Sequence, residues 1–230
     1  MRNTWFFCTL LCCLASTLCT APALHAQGTI PFFKCDSVAV THEGSGSSSI
    51  VLKVINVAGI GTVAPTAANW PLPMTAPRTS VAGQSFSQKN LGQVFGITHN
   101  LAGDLFVGAS SSYNTNAWGG INTKPTANVP QNSGSIYRIN NAGITEFAEM
   151  PNAASGLGNL GYDRLHNMVL ATNFHDGKIY GFNASGTQVF VFDPNFDGLS
   201  YPTAAANFIK LGQRPWGVAA FGTNAANVVL

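Results

Sequence analysis

Residues 134–147 read GSIYRINNAGITEF, and residues 177–190 read GKIYGFNASGTQVF, nearly the same sequence 43 positions later. Each copy has a run of strand-forming residues, a short turn that contains Asn and Gly, and a second strand-forming run. This pattern predicts a β-hairpin in both places. Because apolar residues fall on both faces of these strands, we expect the hairpins to lie in sheets that are covered on both sides.

A second repeated unit precedes each hairpin. Residues 94–109 (VFGITHNLAGDLFVGA) and 159–172 (NLGYDRLHNMVLAT) run from a Gly and an apolar residue, through a polar turn, to an apolar triplet. Residues 215–230 (PWGVAAFGTNAANVVL) begin this pattern again. One repeat therefore consists of four antiparallel strands. Four-stranded repeats of about 40–50 residues are typical of β-propeller blades.

The sequence thus predicts an all-β protein, a β-propeller of four-stranded antiparallel blades that is incomplete here, with about three and a half blades. We expect blades at about 30–65, 91–150 and 157–195 and the start of a fourth at 215–230.

The first of these blades is traced less directly. Residues 30–42 would supply its first pair of strands, and residues 50–63 its hairpin. Residues 66–90 read as a Pro-, Ala- and Ser-rich connection, and 110–133 as a polar, exposed loop within the second blade.

A propeller closes because each blade packs on two neighbours, and it typically has at least about four blades. We therefore expect residues 27–230 to be the N-terminal part of a longer propeller of about six or seven blades, which the remaining blades of the same polypeptide complete. The alternative is that the open ends are covered by self-association.

The first 26 residues are typical of an export signal. Arg2 gives a basic start, Trp5 to Leu18 form an apolar stretch, and Ala23-Leu24-His25-Ala26 supplies a small-x-small cleavage pattern. The apolar stretch is shorter than the about 18–20 residues that a membrane-spanning helix needs. We predict a signal peptide at 1–26, and a mature chain that is secreted or displayed at the cell surface without a transmembrane helix.

The mature chain is nearly neutral. Without Arg2 it carries ten Lys or Arg and nine Asp or Glu. It has no basic patch to bind a phosphate backbone, which excludes nucleic acid as an expected partner. Four of the five cysteines lie in the signal, so that Cys35 has no internal disulfide partner, and we expect it to be a small buried apolar residue.

Short motifs carry a family resemblance over most of residues 30–230. The stretches GDLFV and GKIYG resemble those in blades of NHL and gluconolactonase-type propellers. Phe33-Lys34-Cys35-Asp36 resembles the opening of a bacterial extracellular propeller family of unknown function, whose modules begin with Pro-Phe-x-Cys-Asp. In this chain Phe32 occupies the Pro position and Pro31 precedes it. Resemblance to this bacterial extracellular family implies a module of a large surface protein, and it implies no catalytic residues.

Residues 193–198 (DPNFDG) match the first half of a calcium-binding loop, in which oxygen ligands alternate along the chain and a Gly permits a sharp bend. Asp193, Asn195 and Asp197 would be the ligands. The bidentate Glu at the twelfth position is replaced by Ala204. An Asp- and Asn-rich turn between blades explains the same residues without a metal.

Enzymes of the gluconolactonase type hold a metal near the central channel with acidic and Asn ligands. The resemblance to these enzymes implies such roles for Asn100, Asp163 and Asn173. In a propeller His99 and His166 would also come close to the axis, because successive inner strands line one channel. Turn or surface positions are the alternative, because these residues do not have the spacing of a metal-binding pair.

Aromatic residues in the long connections predict a binding surface. Tyr113 and Trp118 lie in the polar loop 110–133, where such rings can stack on sugars or insert into a protein partner. Packing of the same rings over the edge of a blade is the alternative.

Taken together, these features favour a non-catalytic recognition or adhesion module with a protein or glycan ligand on its loop face. The alternatives are a metal-dependent hydrolase or lactonase with its site at the central channel, and a structural spacer.

Overall fold

The computed structural model describes residues 31–57, 77–110, 134–151, 156–194 and 215–221. They lie in one compact unit, Pro31–Leu230. Within these residues the regular structure consists of β-strands and one short helix, which confirms the all-β prediction. The expected signal peptide at 1–26 lies outside the described residues.

The elements follow one another along the chain in a simple order. They are β1 (Ser37–Thr41), β2 (Leu52–Asn56), β3 (Ser80–Val81), β4 (Gln84–Ser85), α1 (Gln88–Leu91), β5 (Val94–His99), β6 (Leu105–Ala109), β7 (Ser135–Asn140), β8 (Gly143–Glu149), β9 (Leu157–Asp163), β10 (Met168–Asn173), β11 (Ile179–Phe182) and β12 (Gln188–Phe192).

Two sheets have the number and order of strands that the repeat predicts. Strands β5 to β8 form one four-stranded antiparallel sheet, and β9 to β12 form another, with neighbours in chain order. The expectation of four-stranded antiparallel sheets is therefore confirmed for both repeats. The described residues do not include a closed ring of sheets.

The two hairpins that repeat in sequence use the same turn chemistry. Asn140 Oδ1 accepts a hydrogen bond from the amide of Ala142 at 2.9 Å, and Asn183 Oδ1 accepts one from the amide of Ser185 at 3.1 Å. The first turn has two residues between its strands, whereas the second spans 183–187 and shifts the register of β11 against β12. The shared Asn thus starts both turns, and the added length follows from the extra residues that precede Gln188.

The start of the chain differs from the expected pair of strands in 30–42. Within residues 31–42 only β1 is a strand, because the amide of Ser37 bonds to the carbonyl of Lys34 at 3.0 Å and closes a turn. The prediction that Cys35 is buried is wrong, since this turn places its side chain in solvent.

The described part of the expected connection 66–90 contains strand pairing. Val54 on β2 exchanges both backbone hydrogen bonds with Arg78, at 3.0 and 2.7 Å, and the amide of Val51 bonds to the carbonyl of Phe86 at 2.9 Å. The hairpin of β3 and β4 lies between these two contacts, with positive φ at both turn residues, Ala82 and Gly83. Residues 77–87 therefore extend the sheet that β1 and β2 begin.

Apolar packing joins consecutive sheets. One core lies between the segment that contains β1 to β4 and α1 and the β5–β8 sheet. A second core, which includes Phe106, Leu160 and Phe182, lies between the two four-stranded sheets. Strands β6 and β11 are buried throughout, as expected for sheets covered on both sides. Strand β12 differs, because it is the outermost strand and exposes Val189 and Val191.

Candidate functional site

Glycines bring the first strands of consecutive sheets into close contact. A Cβ atom added to Gly96 on β5 would stand 2.5 Å from the carbonyl oxygen of Gly158 on β9. A Cβ at Gly161 on β9 would in turn stand 2.7 Å from the carbonyl oxygen of Val218. The segment 215–221 thus lies beside β9 as β9 lies beside β5. This stacking gives the sheets two common ends, at which their connections gather.

We call these the loop end and the turn end. The loop end is where β5 begins and β6 finishes, since Val94 pairs with Ala109 there, and the connection from β6 to β7 leaves from it. The turn end is where β5 is joined to β6 through residues 100–104 and β9 to β10 through residues 164–167.

Three aromatic side chains meet at the loop end, and we refer to Phe95, Phe174 and Trp216 as the aromatic cluster. The rings of Phe174 and Trp216 are 4.7 Å apart between centroids, and that of Phe95 lies 5.9 Å from Phe174. Phe174 is fully buried, whereas Trp216 is 45% exposed. The cluster therefore leaves part of the Trp216 indole exposed to solvent beside the buried ring of Phe174.

A small cavity of about 220 Å³ adjoins the aromatic cluster at Phe95. His42 and Glu43 contribute polar groups to its lining. Gln93, on the same lining, is held by two hydrogen bonds to the backbone of Gly44, at 2.7 and 3.0 Å. The loop end thus combines an exposed ring with an adjacent polar recess.

The turn between β10 and β11, also at the loop end, contains buried polar side chains. The Tyr180 hydroxyl donates a short hydrogen bond to the Asp176 carboxylate, which also accepts the amide of Lys178 at 3.0 Å. Burial, together with the hydrogen bond and the negative charge of Asp176, raises the pKa of Tyr180 above its ordinary value. Tyr180 therefore stays protonated and fixes the base of the turn.

Asp163 organises the β9–β10 turn at the opposite end. Its carboxylate accepts hydrogen bonds from the amides of Leu165 and His166 and, at 2.5 Å, from the His166 ring. Burial alone would raise the pKa of Asp163, but these hydrogen bonds and the charge of His166 outweigh it and hold the pKa below its ordinary value. Asp163 is an ionised structural anchor of the turn.

A larger cleft of about 480 Å³, here called the turn cleft, opens at the turn end between the two four-stranded sheets. Its polar groups come from the two turns and from β7, and its apolar wall comes from both sheets. The lining includes Asn100, Asp104, Phe106, Arg138, Phe147, Tyr162, Arg164 and Asn167.

The residues considered for a channel metal lie at different ends of the sheets. Asn173 finishes β10 at the loop end, whereas His99 and Asp163 finish their strands at the turn end. His99 packs against Phe33, with ring centroids 5.2 Å apart, and His166 pairs with Asp163. Across the described ranges, no group of three or more His, Cys, Asp or Glu side chains is arranged to hold a metal.

Other predicted site residues are described only in part. The Asp193 carboxylate lies 3.8 Å from the Lys178 ammonium at the end of β12. Asn195 and Asp197, and the expected binding-loop residues Tyr113 and Trp118, lie outside the described residues. The calcium loop and the loop ligand site stay predictions.

The aromatic cluster was not singled out from the sequence, although a signal for it exists. Phe95 and Trp216 each precede the Gly that starts the repeated strand, in VFG and PWG. That shared position predicts that both rings fall at the same end of neighbouring strands.

Of the helices in the described part of the chain, none has the length and apolar character to span a membrane. Comparisons with protein-family models, with curated proteins and with solved structures find no match to this chain.

Proposed function

We propose that this chain is part of a β-propeller that serves as a non-catalytic recognition or adhesion module, secreted or displayed at the cell surface. Its four-stranded sheets would be the blades. The glycine contacts support this architecture, because they set β5, β9 and residues 215–221 side by side, as successive innermost strands of a ring would be.

The observation that carries the recognition function is the exposed indole of Trp216 on the buried ring of Phe174. Partly exposed aromatic rings stack on sugar rings, and they are common anchors in protein interfaces. The aromatic cluster also lies at the end from which the connection containing Tyr113 and Trp118 leaves β6. Protein or glycan ligands would therefore contact the loop end.

A panel of immobilised glycans and surface proteins, probed with the full chain and with Trp216→Ala, tests this proposal. Loss of one aromatic anchor typically costs about 2 kcal/mol or more, so we expect binding to fall at least about tenfold. Phe221→Ala is the matched control, since Phe221 is 69% exposed in the same segment and lies outside the aromatic cluster. Equal binding by the Trp216 variant would contradict the proposal, provided that thermal unfolding shows both variants folded.

The enzyme alternative predicts a different response. A metal-dependent hydrolase or lactonase should turn over a lactone, lose activity with chelator and regain it with metal. The recognition module should bind its ligand without turnover.

Calcium that is held by residues 193–198 would raise the melting temperature, and Asp193→Asn would abolish that rise.

A further inference from the structure

The turn cleft lies at the end of the sheets opposite the aromatic cluster and is built differently. It is walled by a fixed charged network on one side, an exposed arginine on another and aromatic rings between them. A volume of about 480 Å³ lies within the range of small-molecule sites in proteins. These features make the turn cleft a second candidate for ligand binding.

The fixed network is centred on Asp104. Its Oδ2 atom accepts hydrogen bonds from Arg138 Nε at 2.9 Å, Arg138 Nη2 at 2.5 Å and Asn100 Nδ2 at 3.1 Å. The Asn100 side chain is in turn held by the amide of Asp104 at 2.9 Å. The side chains of Asp104, Arg138 and Asn100 are therefore held in place before a ligand arrives, which lowers the entropy cost of binding.

Some hydrogen-bonding groups of this network are not used within it and could bond to a ligand. Arginine has five N–H donors, of which Arg138 directs two to Asp104. All three bonds from Arg138 and Asn100 fall on Oδ2, so that Oδ1 takes part in none of them. The cleft thus offers paired donors beside a charged acceptor, an arrangement that suits neighbouring hydroxyl groups, each of which both donates and accepts.

Arg164 supplies the net charge of the cleft. The charges of Asp104 and Arg138 cancel in their ion pair, and the adjacent Asp163 carboxylate is directed to His166. Arg164 is exposed, and it forms no ion pair with a carboxylate in the part of the chain that the structure describes. One positive charge therefore remains for an anionic group, and a guanidinium binds a carboxylate with two parallel hydrogen bonds.

The wall between these polar groups is aromatic. Phe106 and Phe147 meet edge to face with centroids 4.8 Å apart, and the half-buried ring of Tyr162 adjoins them. The Tyr162 hydroxyl donates to Asn167 Oδ1 at 2.7 Å, which fixes the ring position at the mouth of the cleft. Such a wall packs against the C–H face of a sugar ring.

We propose that the turn cleft binds a sugar acid, that is, a pyranose ring with one carboxylate. The carboxylate pairs with Arg164, ring hydroxyls bond to Asp104 Oδ1 and to the remaining donors of Arg138, and the C–H face packs on Tyr162 and Phe147. This site is additional to the recognition surface proposed at the loop end.

Calorimetric titration of the full chain with glucuronic acid, glucose and benzoic acid tests the assignment. We expect glucuronic acid to bind and glucose to bind at least about tenfold more weakly, because it lacks the group that pairs with Arg164. Benzoic acid should also bind weakly, because it lacks the hydroxyls. Arg164→Gln should weaken glucuronic acid at least about tenfold, whereas Lys89→Gln, the same charge change at an exposed site on α1, should leave it unchanged.

Each other outcome overturns the proposal. If glucuronic acid does not bind, the turn cleft is not a sugar-acid site. If glucose binds equally tightly, or if Arg164→Gln binds glucuronic acid as tightly as the unsubstituted chain, the carboxylate is not recognised by Arg164. Binding of benzoic acid as tight as that of glucuronic acid replaces the sugar acid with an aromatic acid. Trp216→Ala should leave glucuronic acid binding intact, so that failure at one end of the sheets is distinguished from failure at the other.

Discussion

Gly96 on β5 lies directly against the carbonyl oxygen of Gly158 on β9, with room for a hydrogen atom and no room for a methyl group. A Cβ there would approach that oxygen to 2.5 Å and the Leu160 amide nitrogen to 2.9 Å. Both neighbours are backbone atoms of a paired strand, which cannot move without disturbing the sheet. The absence of a side chain at this position sets the spacing between the two sheets.

Gly96→Ala should therefore destabilise the protein by about 1–3 kcal/mol, the usual cost of overpacking a well-packed site. Denaturant unfolding measures the change. Gly46→Ala is the control, because a Cβ at Gly46 would meet no atom within 4 Å, and its effect should stay within about 0.5 kcal/mol. Equal effects of the two substitutions would show that close packing at Gly96 is unimportant.

Tyr180→Phe should lower the stability at neutral pH by about 1–2 kcal/mol, because the buried Asp176 carboxylate loses a hydrogen bond. The folded pKa of Tyr180 is raised, so its contribution is complete below the ordinary value of 10.0 and is lost as the pH rises above it. Urea unfolding at increasing alkaline pH should therefore show a decline that is smaller in the variant. Tyr162→Phe, whose hydroxyl bonds to the exposed Asn167, should cost less at neutral pH.

Asp163→Asn should destabilise the β9–β10 turn by about 1–2 kcal/mol, since the ionised carboxylate accepts three hydrogen bonds. Its pKa is lowered in the folded state, so the stabilisation is present above the ordinary value of 3.8 and is lost as the pH falls through the folded pKa. Unfolding followed against pH should show a weaker acid dependence in the variant. The exposed Asp193→Asn should change stability by less than about 0.5 kcal/mol in calcium-free buffer.

Asn183→Ala should cost more than Asn140→Ala, although both residues start the repeated hairpin turn. Asn183 Oδ1 accepts bonds from the amides of Ser185 and Thr187 and from the Ser185 hydroxyl, whereas Asn140 Oδ1 accepts one from the amide of Ala142. We expect a loss of about 1 kcal/mol at Asn183 and less at Asn140, measured by thermal unfolding. The reverse order would show that the longer turn does not depend on its Asn.

The sequence predicted the two four-stranded sheets because their repeats combine runs of strand-forming apolar residues with fixed turn residues such as Asn140 and Asn183. It was less informative at the start of the chain, where the pairing of Val54 with Arg78 joins segments that share no repeated residues. The exposure of Val191 also escaped prediction, since its residue type suits a covered strand and its position at the sheet edge is a tertiary fact.

The candidate sites show the same division. The turn cleft depends on Arg138 and Asp104, which are 34 residues apart and meet through strand pairing between β6 and β7. Their separation along the chain does not predict that contact. The aromatic cluster could be predicted more easily from the sequence, because Phe95 and Trp216 occupy the same position relative to a repeated Gly.

The turn of each repeated hairpin contacts a segment that precedes the hairpin in the chain. Gln84 Oε1 accepts the amide of Ile144 at 2.6 Å beside Gly143, and the equivalent Gly186 lies against the carbonyl of Phe147. In both cases the residue that the turn contacts comes earlier in the chain than the turn. When the chain emerges from the ribosome N-terminus first, the surface that each of these two turns contacts has therefore been synthesised before the turn itself.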